Sequence, residues 1–554
     1  MVAVVALLSI PLANIVASLF QAFSDVFSHL ASTVLKDYVS NSLLLMLGVA
    51  CGTFVLGTSC AWLTSMCHFP GRRIFEWALL LPMAMPAYII AYTYTGMLDF
   101  AGPVQTFLRE YFQWRYGDYW FPQIRSLGGA IVMFCLVLYP YVFLIVRASF
   151  LEQSHALLEV SRSLGRNSWQ TFFSVAIPAA RPAIIAGMTL ALMETLADYG
   201  TVQYFGVSTF TTGIFRTWFG LGDITAAAQL SSILLLFITA LIVIERRSRS
   251  RMRFHAAGNG RSQPARKAIE GWPKYLAIFW CLIPVSFGFA LPAGQLLIWV
   301  IKTWQDNINA AFFNLVLSSF TLAAVTSILC LTLAIALCFC HRLIASRTSA
   351  LLLRVGSLGY ALPGTVIAVG VLIPFAAFDN AVDAWLIKHV NISSGLLLSG
   401  TLAAVIFAYV VRFISVSIQT IESGYAKIHP SIDDSARTLG KRPHQLLSSV
   451  HLPMLKTSLL TALLLVFVDV LKELPTTLIL RPFNFNTLAV RAYELASDER
   501  LMDASSAALA IVLTGLLPVL LLSRNISKPK QQSKPQQQSN PPMNDSENSL
   551  RVNL

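Results

Sequence analysis

Charged side chains are scarce in this chain: Asp, Glu, Lys and Arg make up 12% of its 554 residues, about half the usual share for a soluble globular protein. Apolar residues reach 56% and mean hydropathy is +0.65, so there is too little polar surface to cover a soluble body of this size. No phosphate loop of the form GxxxxGK[ST] occurs, and no polar stretch could hold a soluble nucleotide-binding domain of about 200 residues, so the chain lacks that machinery for hydrolysing ATP. The eight cysteines, Cys51, Cys60, Cys67, Cys135, Cys281, Cys330, Cys338 and Cys340, form no paired ligand motif. Cys338 and Cys340 are two apart and do not share a helical face. The set reads as small buried apolar side chains, and no cofactor is expected. The apolar runs are continuous rather than alternating, which disfavours the strands of a membrane β-barrel.

What is present is a series of long apolar segments. A helical span needs about 20 mostly apolar residues to cross roughly 30 Å of hydrocarbon, and twelve segments qualify: 3–22, 41–63, 77–97, 128–148, 183–205, 226–244, 274–298, 313–340, 357–378, 395–418, 457–480 and 506–523. The reading is an all-α polytopic membrane protein. The first segment lacks a basic leader and a small-residue cleavage site, so it is expected to be an uncleaved span.

Charge sets the orientation. Arg72 and Arg73 precede the third segment, Arg342, Arg347 and Arg354 precede the ninth, and Arg246, Arg247, Arg249, Arg251, Arg253, Arg261, Arg266 and Lys267 crowd the middle connection. On the other side, Arg109, Arg115 and Arg125 are offset by Asp99, Glu110 and Asp118. Basic residues stay cytoplasmic, so both termini and the middle connection are expected there. The net charge of +13 therefore calls for anionic membrane lipid as its partner; scattered by topology, it makes no nucleic-acid patch.

A polar passage is duplicated at a distance of 275 residues: EVSRSLGRNSWQTFFSVAIP at 159–178 and DSARTLGKRPHQLLSSVHLP at 434–453. Arg162/Arg437, Leu164/Leu439, Gly165/Gly440, Gln170/Gln445, Ser174/Ser449, Val175/Val450 and Pro178/Pro453 are identical pairs, and an acid, Glu159 or Asp434, opens each copy. Each copy lies between the fourth and fifth segments of a set of six. The expected plan is residues 1–244 as a first six-span domain, 245–273 as a basic cytoplasmic linker, 274–523 as a second six-span domain and 524–554 as a disordered cytoplasmic tail rich in Gln, Ser, Asn and Pro. An even number of spans gives both sets the same orientation and a pseudo-twofold axis along the membrane normal. Within each copy, glycine permits a sharp turn and proline is expected to close the segment before the next span. Two short cytoplasmic helices at an angle should result, suited to a moving soluble partner. Trp169, Phe172 and Phe173 also suit a lipid anchor.

The spacing Glu159, Gly165, Val175, Ile177, Pro178 and again Asp434, Gly440, Val450, Leu452, Pro453 resembles the cytoplasmic signature of permease subunits in binding-protein-dependent ABC importers. Where that family usually opens with a glutamate and two alanines, this chain has Glu159-Val160-Ser161 and Asp434-Ser435-Ala436. The first half is similar to fused ferric-iron permeases of bacterial inner membranes in MPAYIIAYTYTGMLDFAGPVQTFLR (85–109), IRSLGGAI (124–131) and METLADYGTVQYFGVSTFTTGIFRTW (193–218). The resemblance implies two tandem type I permease halves, two copies of a cytoplasmic ABC ATPase docked on the duplicated segments, and a periplasmic binding protein. It implies ferric iron as cargo, with thiamine, polyamine or another small solute as alternatives. An ion-coupled secondary transporter is the alternative from another class.

Four acids lie in apolar surroundings and obey the same register: Glu194 and Asp198 match Asp469 and Glu473. On continuous fifth and eleventh helices each pair would share one face near mid-span. Two roles are open to them. With Tyr199 and Tyr204 they offer hard oxygens for transient contact with a cation, or they pair with Lys472 and neighbouring backbone to hold a gate. Pro86 and Pro363 are expected to bend the third and ninth spans.

Overall fold

The computed structural model describes residues 1–115, 117–152, 161, 163–165, 167–250 and 267–527. Glu159 and Arg162 of the first duplicated passage, most of the basic linker and nearly all of the tail lie outside them. Among the described residues, ten helices are long and apolar enough to cross a membrane. An eleventh candidate is the pair Arg72–Ala84 and Ala87–Phe112, bent by 90°, and the apolar helix Val2–Ser18 is shorter.

The first set comprises α1 (Val2–Ser18), α2 (Leu35–Met66), α3 (Ala87–Leu98), α4 (Leu127–Glu152), α5 (Ile177–Ala197) and α6 (Ile224–Ser250). The second comprises α7 (Pro273–Asn307), α8 (Ala310–Ile344), α9 (Gly364–Val390), α10 (Leu402–Tyr425), α11 (Leu452–Lys472) and α12 (Leu501–Ser527). Hydrocarbon offers no hydrogen bonds, so each segment must satisfy its own backbone, and helices do so. Hydroxyls inside the spans follow suit: Thr53 donates to Val49 O at 2.7 Å, Thr93 to Ile89 O at 2.7 Å and Thr195 to Ala191 O at 2.9 Å.

The two sets are interlocked. The first and last helices of each set pack against the third of the other: α1 and α6 on α9, α7 and α12 on α3. Ser18 and Ser232 join α1 to α6 at 2.9 Å, Trp280 on α7 donates to Ser59 on α2 at 2.7 Å, and the Tyr94 hydroxyl on α3 donates to Phe287 O at 2.6 Å. The only strand pairing among the described residues is a two-residue parallel bridge, Cys67–His68 with Lys267–Ala268, which ties the end of α2 to the chain just before α7.

Three local expectations change. The fifth and eleventh spans are not continuous through their acids: α5 ends at Ala197 and α11 at Lys472, with Asp198 and Glu473 in extended conformation. Short helices Gly200–Tyr204 and Pro475–Leu480 follow. Pro178 and Pro453 do not close the duplicated segments either. Helix runs on from Trp169 to Ala197 and from Pro443 to Lys472 because a π-turn, Phe172–Ala176 or Leu447–His451, precedes each proline. Ile177 N donates to Phe172 O and Leu452 N to Leu447 O, five residues back. The ladder is thus already shifted where the proline lacks its N–H. The ninth span starts later than expected, at Gly364, since Pro363, like Pro86, sits at the N-terminal cap with ψ near 144° and a 3₁₀ turn before it.

Candidate functional site

The breaks after α5 and α11 meet the caps of α3 and α9 at the centre of the molecule and leave a cavity of 140 Å³. Its walls come from equivalent places in both sets. Glu194 faces it with Asp469, Asp198 with Glu473, Ala197 with Lys472, and Val137 with Arg412. The duplicated register thus meets itself across this cavity. All four acids singled out from sequence border it, with Tyr88, Tyr141, Tyr199 and Tyr360. Tyr204 instead lies under Arg125, 5.1 Å from guanidinium to ring, and does not line the cavity.

The acids are held differently. Asp198 accepts from Thr201 N at 2.8 Å, Thr201 Oγ1 at 3.0 Å and Val202 N at 3.3 Å, covering amides at the start of the short helix. Glu473 makes the same contacts with Thr476, whose amide donates at 3.2 Å, and also accepts from Arg412 Nη1 at 2.7 Å. Asp469 pairs with Lys472 at 3.2 Å. Glu194 shares the cavity wall with Tyr360. The gating alternative thus has a physical basis in the backbone contacts of Asp198 and Glu473. The cation alternative has one in the phenol and carboxylate oxygens that face the cavity. Among the described residues no three His, Cys, Asp or Glu side chains form a group able to hold a metal ion.

Sequence reasoning missed Arg412, Tyr141 and Tyr360. Their positions in the opposite set hold Val137, Val416 and Met83, so a search for duplicated residues passes over them. An arginine inside the apolar run of α10 was the available sign.

The second duplicated passage is a helix, Pro430–Thr438, a turn at Gly440 with φ +73°, and the helix from Pro443. Gly165 has φ +77° in the first copy. The leucine before each glycine is exposed, Leu164 by 73% and Leu439 by 79%. Gln170 accepts from Asn167 N at 3.0 Å and Gln445 from Arg442 N at 2.9 Å, which explains the shared glutamine as a helix-start cap. Ser174 and Ser449 each donate to that glutamine's carbonyl. Val175, Ile177, Val450 and Leu452 are half-buried, and Pro178 and Pro453 are exposed.

Asp434 is exposed and 3.8 Å from Arg437; its neighbour Asp433 is the buried acid. Arg342 Nε donates to Asp433 at 2.8 Å and His451 Nε2 lies 2.9 Å from it. Burial pushes the Asp433 carboxyl up, but the bonds from Arg342 and His451 outweigh it and hold it below the usual carboxylate range. The cluster ties the passage to the ends of α8 and α10, since Arg342 also donates to Ile428 O at 2.9 Å. The first copy has Ala176 where the second has His451; there Phe172 packs on Trp62, ring centroids 5.1 Å apart.

Comparison with known proteins agrees with the duplication. The family model described as "Binding-protein-dependent transport system inner membrane component" matches residues 53–254 and again 331–531. The chain is 26% identical over 496 residues to the Fe(3+)-transport system permease protein FbpB 2 of Haemophilus influenzae, covering 88% of this chain and 90% of that protein. It is 24% identical to the ferric transport system permease protein FbpB of Actinobacillus pleuropneumoniae, covering 78% and 62% respectively. A shorter match, 25% over 145 residues, covers 26% of this chain and 60% of the molybdenum transport system permease protein ModB of Haemophilus influenzae.

Proposed function

We propose that this chain, which belongs to the family of binding-protein-dependent transport system inner membrane components, admits ferric iron delivered by a periplasmic binding protein and releases it to the cytoplasm by alternating access. As a multi-pass permease it is not itself an ATPase; ATP hydrolysis falls to two copies of a cytoplasmic subunit, one docked on each duplicated passage. In this reading residues 1–244 and 274–523 are the permease domains, 245–273 and 524–554 lie in the cytoplasm with both termini, and 159–178 and 434–453 are the coupling segments.

The observation that carries the reading is the pair of equivalent tips, Leu164-Gly165 and Leu439-Gly440, each with an exposed leucine beside a left-handed glycine and each followed in sequence by a helix, Trp169–Ala197 or Pro443–Lys472, that carries an acid of the central cavity. Burying one leucine contributes about 1.5–3 kcal/mol, enough for a small knob to grip a moving partner. A secondary transporter has no use for two such tips. The names of the relatives that cover most of the chain suggest ferric iron. An anionic cargo, as the shorter molybdenum match would suggest, is disfavoured by a cavity with four carboxylates against two cations.

Cross-linking tests the docking directly. With exposed Cys51 replaced by serine, L164C and L439C should each cross-link to the ATPase, one copy per site, and the double variant should capture two. Capture at neither position would refute docking, and capture at one alone would refute the twofold arrangement.

A further inference from the structure

The cavity cations are distributed unequally. Arg412 and Lys472 both belong to the second set, where they pair with Glu473 at 2.7 Å and Asp469 at 3.2 Å. The first set has Val137 and Ala197 in their places. Asp198 is bound by the start of its short helix, and Glu194 forms no ion pair among the described residues. One wall of the cavity thus carries its own counter-ions and the other carries none.

Two buried polar groups at this cavity lack hydrogen-bond partners. Arg412 is 7% exposed and Tyr88 5% exposed, and among the described residues neither the Arg412 Nε nor the Tyr88 hydroxyl has a partner. Leaving such groups unsatisfied costs free energy, so the arrangement is one that a second pairing could satisfy better. Arg412 lines the same cavity as Glu194, Asp469 and Tyr360 as well as Glu473. Its guanidinium can therefore leave Glu473 without entering apolar surroundings.

We propose that Arg412 and Lys472 are built-in counter-ions: they occupy Glu473 and Asp469 while the cavity is empty, and a polyvalent metal cation displaces them as it passes. This rests on the reading of the cavity as a cation path and adds its selectivity. Attraction to a carboxylate scales with charge. A sodium or potassium ion would replace one positive charge by another, lose the guanidinium hydrogen bond, and compete with a tethered group at high effective concentration. An ion of charge two or three gains enough attraction to win. The counter-ions thus screen out monovalent cations and keep metal binding weak enough for release.

Mn²⁺ binding to the purified, full-length permease, read by electron paramagnetic resonance, tests this without the partner subunits. R412Q should bind Mn²⁺ about tenfold more tightly than the unaltered chain, K472Q should tighten binding less, and R412K should restore the original affinity. In liposomes R412Q should also admit ²²Na⁺ that the unaltered protein excludes. Should R412Q fail to fold, K472Q, whose side chain is partly exposed, carries the same test. Mn²⁺ affinity unchanged or weakened in the folded glutamine variants would overturn the counter-ion role, even if ferric uptake is intact. Tighter Mn²⁺ binding with no ferric uptake by the unaltered protein would leave the role standing and refute the cargo.

Discussion

Replacing Gly440 with valine is expected to lower ATP-driven uptake about tenfold or more while leaving the protein in the membrane. The residue has φ +73° and nothing within 4 Å of where a Cβ would stand, so crowding is not the cause. A β-branched residue held in this region costs about 1–3 kcal/mol, and the chain escapes by swinging the turn out of the left-handed region. Leu439 and the helix before it then move relative to α11, and a docked ATPase loses its grip. Hydrolysis should continue while transport falls. G440N separates conformation from side-chain loss, because asparagine tolerates the left-handed region and should keep most of the uptake. The same pair of substitutions at Gly165 (φ +77°) should behave alike, since both tips are required in one cycle. Equal uptake by the valine variant and the unaltered chain, with uptake coupled to ATP, would count against the docking role.

G364A should be nearly as harmful for a different reason. A methyl group at Gly364 would run into Arg412 Nη1, Glu473 Oε1 and Thr476 Oγ1 together, so the ion pair that closes one wall of the cavity must separate. Breaking such a buried pair costs about 3–5 kcal/mol if nothing relaxes. The first set tolerates alanine at the corresponding cap, Ala87 after Pro86, because Val137 replaces the arginine there. The variant should melt at lower temperature and lose transport, while A87G, at the uncrowded cap, should do neither. A melting curve and uptake unchanged in G364A would show that the Arg412–Glu473 pair does not govern the cavity.

The sequence revealed repeated features well and one-sided features poorly. The twelve apolar segments and the duplicated passage were legible because hydrocarbon thickness and a 275-residue register constrain many positions at once. The acid quartet was legible for the same reason. Its setting was not: Glu194 and Asp198 were placed four apart on one helix, but Asp198 begins a break whose extended backbone no apolar run betrays. Pro178 and Pro453 look like helix stops, but a π-turn precedes each and the helix runs on. Arg412 was overlooked because its opposite number is valine. The 275-residue register sets Asp434 against Glu159, yet Asp434 is exposed and the adjacent Asp433 is the acid buried against Arg342 and His451. The register could say that an acid opens the passage, but which of two adjacent acids faces inward depends on how the short helix Pro430–Thr438 packs on α8.

The central claim is best tested by reconstituting the chain in liposomes with its ATPase and binding protein and measuring ATP-dependent uptake of ferric iron, thiamine and an organic polyamine side by side. The proposed function predicts ferric uptake that requires ATP and the binding protein, with neither organic solute accumulated. Uptake of thiamine or polyamine in preference to iron, or iron uptake that follows an ion gradient without ATP, would contradict it.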